Sequence, residues 1–217
     1  MRQPPAASAS PSGDGGVDPA RALPVTFYAR DVVAVARDLL GCLLVSCIDG
    51  ETAAGIIVET EAYGGPDDPA SHAAFRRNGT VAAMWGPPGR AYVYLAYGVY
   101  PCLNVVTGPA GTAAAVLLRA ADPLLGRAAM AARRGAAPGR RLASGPGRLA
   151  VAFGITLTDN GRPLEAPPLW IEPGVPPDRI VTGPRIGVRR GEPRPWRFGI
   201  AAHPALSRPF PPAAERG

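Results

Sequence analysis

An Asp-Gly dipeptide, Asp49-Gly50, separates two β-rich runs at 42–48 and 52–63, and no other feature restricts the fold of this chain as tightly. The two-residue turn that matches strand twist needs positive φ at both central positions, which Asp and Gly tolerate. The two runs are therefore expected to fold back on one another as antiparallel strands. A second hairpin is expected from 91–96 and 99–106, with Tyr97-Gly98 at its turn. Pro101 has no amide hydrogen to give to a ladder, so it marks the returning strand as an edge. Residues 113–120 read as a buried strand, and 169–172, 180–188 and 195–200 as further short strands.

Helical signals are fewer. Val32, Val35, Ala36, Leu39 and Leu40 recur at helical spacing and stop at Gly41, so a helix is expected over 31–40. Asp122-Pro123 has the form of an N-cap followed by a first-turn proline and predicts a helix running toward Arg134. A shorter helix over 144–153 ends before Gly154. Strands gathered with a few helices, without strict βαβ alternation, indicate an α+β fold: one domain on a curved, mostly antiparallel sheet, with a protruding tyrosine-bearing hairpin and flanking helices. Composition sets its limits. Residues 1–23 are Pro, Ala, Ser, Gly and Asp with almost no large apolar side chain, and are expected to be a disordered tail. The Pro-rich stretch 203–217 is expected to be loosely attached, which leaves 24–202 as the domain.

All 23 basic residues are arginine; the chain has no lysine. This removes the amine that a Schiff-base enzyme needs and the anchor of a Walker-type phosphate loop. The formal charge of +6 and a pI near 9.8 point to a polyanionic partner such as nucleic acid. Only two histidines, His72 and His203, and three cysteines without a CxxC pair argue against a Ser-His-Asp hydrolase and against a metal site. The odd cysteine count and an N-terminus without a charged-then-apolar pattern fit a reducing cytoplasm. No apolar run reaches the ~20 residues a membrane span needs.

Three groups could carry chemistry. Along 55–63, strand alternation puts Glu59, Glu61 and Tyr63 on one face and Val58, Thr60 and Ala62 on the other. Same-face neighbours lie ~6.5–7 Å apart, near the ~6.5–9.5 Å carboxyl spacing at which one carboxylate activates water for attack on a sugar; a solvated sheet face is the other reading. Four of the six tyrosines fall within 92–100, which suggests a stacking surface with Tyr97 at the hairpin tip as a wedge between bases, or else an amphipathic core strand with surface hydroxyls. In Ser144-Gly-Pro-Gly-Arg148, exposed backbone amides and an arginine at a helix start could hold a phosphate, or form a plain turn and cap.

The ordered blocks Val58-Glu-Thr-Glu-Ala-Tyr63, Ser71-His72, Met84-Trp-Gly-Pro-Pro-Gly89, Tyr92-Val-Tyr94 with Tyr97-Gly98, Cys102-Leu-Asn104-Val, Leu117-Leu-Arg119-Ala and Ser144-Gly-Pro-Gly-Arg-Leu149 resemble the alkyladenine (3-methyladenine) DNA glycosylase family over about residues 27 to 200. The resemblance implies a monofunctional hydrolase of base excision repair. Such an enzyme flips an alkylated or deaminated purine out of double-stranded DNA, cleaves its N-glycosidic bond and leaves an abasic site. By the same resemblance, Glu61 is the general base with Arg119 beside it. Tyr63, His72, Tyr94 and Asn104 line the base pocket. Tyr97, Val99, Tyr100, Gly145 and Arg148 face the DNA. The implied protein is a cytoplasmic, nucleoid-associated monomer without cofactor, metal or membrane contact. In two places the chain departs from the family pattern: Arg76-Arg77-Asn78 comes early in the stretch before Met84, and Trp85 stands where phenylalanine is usual. The rival reading is a non-catalytic protein that recognises distorted duplex, but a carboxylate facing phosphates would only weaken such a binder. A formyltransferase-like or sugar-processing enzyme would need motifs that are absent from the sequence.

Overall fold

A computed structural model describes residues 16–135, 139, 141–188, 190 and 194–211. The Asp49-Gly50 turn forms as expected. Both residues have positive φ, 56° and 76°, and they join β1 (Leu43–Ile48) to β2 (Glu51–Tyr63) as antiparallel neighbours. The second hairpin joins β3 (Ala91–Ala96) to β4 (Tyr100–Thr107), and β5 (Ala114–Leu125) follows. Short strands β6 (Glu165–Ala166), β7 (Leu169–Glu172), β8 (Ile180–Gly183) and β9 (Arg197–Ile200) complete one nine-stranded sheet. Every ladder in it is antiparallel. The order is β3-β4-β5-β2-β1-β7-β6, with β9 on β2 and β8 on β9. The sheet forks along β2, whose first half pairs with β1 and whose second half, Glu59 to Glu61, pairs with β9.

Four helices flank the sheet among the described residues: α1 (Val25–Tyr28), α2 (Val32–Asp38), α3 (Arg127–Arg134) and α4 (Pro146–Ala152). Asp31 caps α2 by accepting from the amides of Val33 and Ala34 at 3.0 Å, and the helix buries Val32, Val35 and Ala36. These join Leu149, Ala150 and Phe153 in the main core. Each large aliphatic side chain buried there is worth about 1.5–3 kcal/mol.

Three expectations need correction. Asp122-Pro123 does not open a helix: both residues lie in β5, opposite Ile56 and Gly55, and α3 starts only after Gly126. The proline is tolerated there because the ladder slips between Ala54 and Gly55, so no regular amide is missed. β4 is an edge only around Pro101: Asn104 and Val105 are flanked by both β3 and β5, and Val106 and Thr107 continue the pairing with β5. Finally, residues 203–211 are not loosely attached. The Ser144 hydroxyl donates to the Leu206 carbonyl at 3.1 Å, and the Ser207 hydroxyl donates to Glu59 at 2.8 Å. At the other end, Leu23 is buried and its amide donates to the Ile171 carbonyl at 2.8 Å. The rest of the expected tails, 1–15 and 212–217, lies outside the described residues.

Two irregularities position everything that follows. In the β2–β5 ladder, Ile57 pairs with Ala121, Glu59 with Ala120 and Thr60 with Leu118, so Val58 on one strand and Arg119 on the other have no opposite number. Before this point the odd positions Ala53 and Ile57 face the main core; after it the even position Ala62 does. On β5 the same switch falls between Leu118 and Ala121. Val58 and Ala120 instead form a small cluster with Ala205 on the far face, so Val58 does not share a face with Thr60 and Ala62 as simple alternation predicts. A β-bulge re-aims the side chains beyond it. Without this one, the parity of Ala53 and Ile57 would drive both Glu59 and Glu61 into the apolar core, at several kcal/mol per desolvated charge.

Candidate active site

Past the bulge, Glu59, Glu61 and Arg119 meet on the far face of the sheet, all of them buried. Arg119 links the two carboxylates, with Nε donating to Glu59 at 3.0 Å and Nη1 to Glu61 at 3.2 Å. The carboxylates are not equivalent. Glu59 takes four donors: Arg119 Nε, Arg197 Nε, and the amide and hydroxyl of Ser207. Three of these fall on Oε1 and the Ser207 amide on Oε2, so two guanidinium groups and Ser207 tie Glu59 down as an anchor. Glu61 takes three: Tyr63 Oη at 2.9 Å and Arg119 Nη1 on Oε2, and the Ile186 amide at 2.7 Å on Oε1. One acceptor position on Oε1 stays open to a further donor.

Burial pushes the Glu61 carboxyl above its ordinary pKa and outweighs the opposing pull of Arg119, the Ile186 amide and Tyr63. Glu61 is thus a stronger base than a surface carboxylate. Burial works against the charge of Arg119, but Glu61 and Glu59 hold its pKa above the ordinary value. The Tyr63 phenol is raised by burial and by the neighbouring Glu61, so it stays protonated and donates.

Next to the carboxylates lie the aromatics. His72 Nδ1 is 2.7 Å from Tyr92 Oη. Its ring meets that of Tyr94 edge-on with centroids 4.5 Å apart, and Tyr92 stacks on Tyr94 at 5.6 Å. Burial, and then Arg76, lower the His72 pKa, which keeps the imidazole neutral near pH 7. Beneath them a separate apolar cluster of Ala73, Val81, Met84, Tyr92, Val106, Ala113 and Ala115 holds the 72–85 segment against this face, with Trp85 and Tyr94 at its margin. Asn104 sits on β4 between Tyr92 and Leu117 and donates to the Tyr92 carbonyl at 3.0 Å. Four of the pocket positions expected from sequence, Tyr63, His72, Tyr94 and Asn104, therefore lie on the same side of the sheet as Glu61 and Arg119.

The hairpin tip is built differently. Tyr97 is 94% exposed, with Val99 at 67% and Tyr100 at 57%. Tyr97 and Gly98 have φ of 54° and 74°, and the Val99 amide donates to the Ala96 carbonyl at 3.1 Å, which closes a tight primed turn. A bulky aromatic with positive φ is strained by about 1–3 kcal/mol, and burial returns nothing. Gly147 on α4 lies under the tip: a Cβ there would stand 3.0 Å from the Tyr100 Cβ. The Ser144–Arg148 turn is joined to the site directly, because the Gly145 amide donates to the Arg119 carbonyl at 2.9 Å and Arg148 remains exposed.

Sequence reasoning missed Arg185, Asp68, Arg197 and Ser207. Arg185 pairs with both oxygens of Asp68 and donates to the Ala62 carbonyl at 3.0 Å, with its guanidinium 4.7 Å from the Tyr63 ring centre. Arg185, Arg197 and Ser207 lie more than a hundred positions from their partners on β2 or in the following turn, so no local pattern announces them. Among the described residues, no group of three or more His, Cys, Asp or Glu side chains could hold a metal ion, and no helix is long and apolar enough to cross a membrane.

Comparison with known proteins agrees with this geometry. The sequence model of the methylpurine-DNA glycosylase family matches residues 26–204. A Rhodopseudomonas palustris protein is 49% identical over 185 residues, covering 85% of this chain and 87% of its own length. A Nitrosospira multiformis protein is 46% identical over 188 residues, covering 86% and 94%, and one from Bacillus cereus is 44% identical over 202 residues, covering 85% and 98%. All three carry the name "putative 3-methyladenine DNA glycosylase".

Proposed function

This chain belongs to the methylpurine-DNA glycosylase family, and on that premise we propose that it acts alone on one damaged purine at a time, flipping the base from duplex DNA and hydrolysing its bond to the sugar. At the level of the family it is a DNA repair glycosylase, a hydrolase of N-glycosyl bonds in DNA. The finer reading rests on one observation above all: a buried carboxylate, Glu61, has a raised pKa, one acceptor position open and an arginine at 3.2 Å, beside a cluster of aromatic rings.

In this reading Glu61 accepts a proton from water as the water oxygen bonds to C1′, and the N-glycosidic electron pair leaves with the base. An alkylated purine is already cationic and departs neutral, so no general acid is required. Arg119 holds Glu61 in place and faces the DNA backbone. Tyr63 and Tyr94 stack on or against the extruded purine, His72 offers polar contacts, and the Asn104 amide at the pocket floor disfavours the exocyclic amine of normal guanine. Tyr97 fills the gap left in the stack, assisted by Val99 and Tyr100, while Gly145 and Arg148 meet phosphate. The partner is double-stranded DNA carrying damaged purines, met by a monomer of the cytoplasm associated with the nucleoid.

Oligonucleotide duplexes with single defined lesions test this. Incubation should release free base and leave alkali-labile sites at 3-methyladenine-type lesions. Borohydride should trap no covalent adduct, because the chain has no lysine; acetylating the N-terminus blocks the one other amine to be considered and should leave hydrolysis intact. A borohydride-trapped adduct on a side chain, or no release from any alkylated duplex, would defeat the reading.

A further inference from the structure

Arg185 and Asp68 form an ion pair that the mechanism above does not use, with side chains only 2% and 1% exposed. Such a pair adds little stability, since apolar side chains of similar volume often serve as well or better. What it does here is geometric. Arg185 Nη1 donates to the Ala62 carbonyl, the backbone group between Glu61 and Tyr63, at 3.0 Å. Its guanidinium lies between the rings of Tyr63 and Trp196, 4.7 and 5.4 Å from their centres. The next residue, Ile186, supplies the amide that holds Glu61 at 2.7 Å. Asp68 also accepts from the amides of Gly64 at 2.9 Å and Ala70 at 3.2 Å, which shapes the turn that leads to His72. The pair therefore ties Glu61, Tyr63 and the approach to His72 to one point.

Arg185 occupies one face of the Tyr63 ring, so a purine can stack only on the other. A bare guanidinium beneath that ring would repel a cationic base across roughly 8 Å, the 4.7 Å contact plus one ring-stacking distance of ~3.5 Å. We propose that the Arg185–Asp68 pair is a positioning and charge-cancelling support for Tyr63: the guanidinium fixes the ring relative to Glu61, and the carboxylate cancels its charge so that the open face accepts a positively charged purine. This rests on the assignment of Tyr63 as a stacking residue.

The test is made in the Glu61→Gln background, so that bound base is not released. The full chain is titrated with duplexes carrying 7-methylguanine, which is cationic, and 7-methyl-7-deazaguanine, its neutral isostere. Adding Asp68→Asn uncovers the arginine charge and should lower the preference for the cationic duplex by about thirtyfold, the size of an uncompensated charge at this distance in an effective dielectric near 20. An unchanged ratio in a folded protein would overturn charge cancellation. If Asp68→Asn does not fold, the apolar pair Arg185→Met with Asp68→Leu removes both charges. It should keep the cationic-to-neutral ratio, slow single-turnover excision with Glu61 intact by tenfold or more, and move the acid limb of excision to higher pH as Ile186 loosens from Glu61. Normal rate and normal pH profile in that variant would overturn positioning. Equal binding of lesion and undamaged duplex by the Glu61→Gln parent would instead defeat the functional reading itself, a result distinct from either outcome above.

Discussion

The candidate pocket around Glu61, on β2, and the hairpin tip at Tyr97, between β3 and β4, belong to one sheet with β5 between them, yet they solve opposite problems. In the pocket, charge is buried and almost every polar atom has a partner: Glu59 has four donors, Glu61 three, and Asp68 a guanidinium and two amides. At the tip, an apolar ring stands in solvent on a strained backbone with no neighbour to hold it. Buried, satisfied networks fail when one member is removed, because the remaining charges are left unpaired. An exposed strained residue has little stability to lose. Changes in the pocket should therefore couple stability to chemistry, and changes at the tip should separate stability from DNA binding.

The largest effect should come from Glu61→Gln. The amide is isosteric but cannot take a proton from water, and single-turnover excision should fall by about 10²–10⁴-fold while lesion-duplex binding persists. Excision near the wild-type rate would remove Glu61 from the role of base. Glu59→Gln, two residues away, should behave in the opposite sense. It leaves Arg119 and Arg197 short of countercharge, so thermal or denaturant unfolding should show a loss of about 3–5 kcal/mol, with a smaller fall in excision per folded molecule. If Glu59→Gln proved stable but inactive, the contrast between an anchoring and a reacting carboxylate would be lost.

A pH profile sharpens the same contrast. Glu61 must be deprotonated to act, and burial raises its pKa above the ordinary carboxylate value of 4.5. Single-turnover excision should be present above that raised pKa and lost as pH falls through it, on a limb lying above the ordinary carboxylate range. A limb at or below 4.5 would mean that Arg119 and the Ile186 amide outweigh burial. At the tip, Tyr97→Ala should weaken lesion-duplex binding and slow excision by roughly tenfold, the size of one lost stacking contact of about 1–3 kcal/mol, with less loss when the lesion is already unpaired. Folding stability should change by no more than about 0.5 kcal/mol. Severe destabilisation with unchanged excision per folded molecule would instead make Tyr97 a core residue. The smallest effect is expected from Tyr97→Asn, because Asn accepts the positive φ more readily. It should raise stability by up to about 1 kcal/mol while binding still weakens; a fall in stability would show that the turn is not strained by its tyrosine.

Much of the molecule was legible from residue order. The Asp49-Gly50 turn, both hairpins and the helix at Val32–Asp38 follow from local rules, and Tyr97 at an exposed tip follows from the glycine beside it. Alternation also put Glu59, Glu61 and Tyr63 on one face, where they are found, but it could not see that a bulge at Val58 and Arg119 is what turns that face away from the core. Nor could it distinguish two glutamates two residues apart. The donors that hold Glu59 come from Arg119, Arg197 and Ser207, and none of these lies near it in the chain.

The sequence by itself determined which chemistries are open to this protein: turns and periodicity are short-range properties, and the absence of lysine closes catalysis by a side-chain amine in any fold. Only the tertiary structure decided which carboxylate can accept a proton, because that depends on how many donors reach each oxygen and how much water is excluded. Both quantities are set by segments brought together from more than a hundred residues apart, such as Ile186 on Glu61 and Ser207 on Glu59.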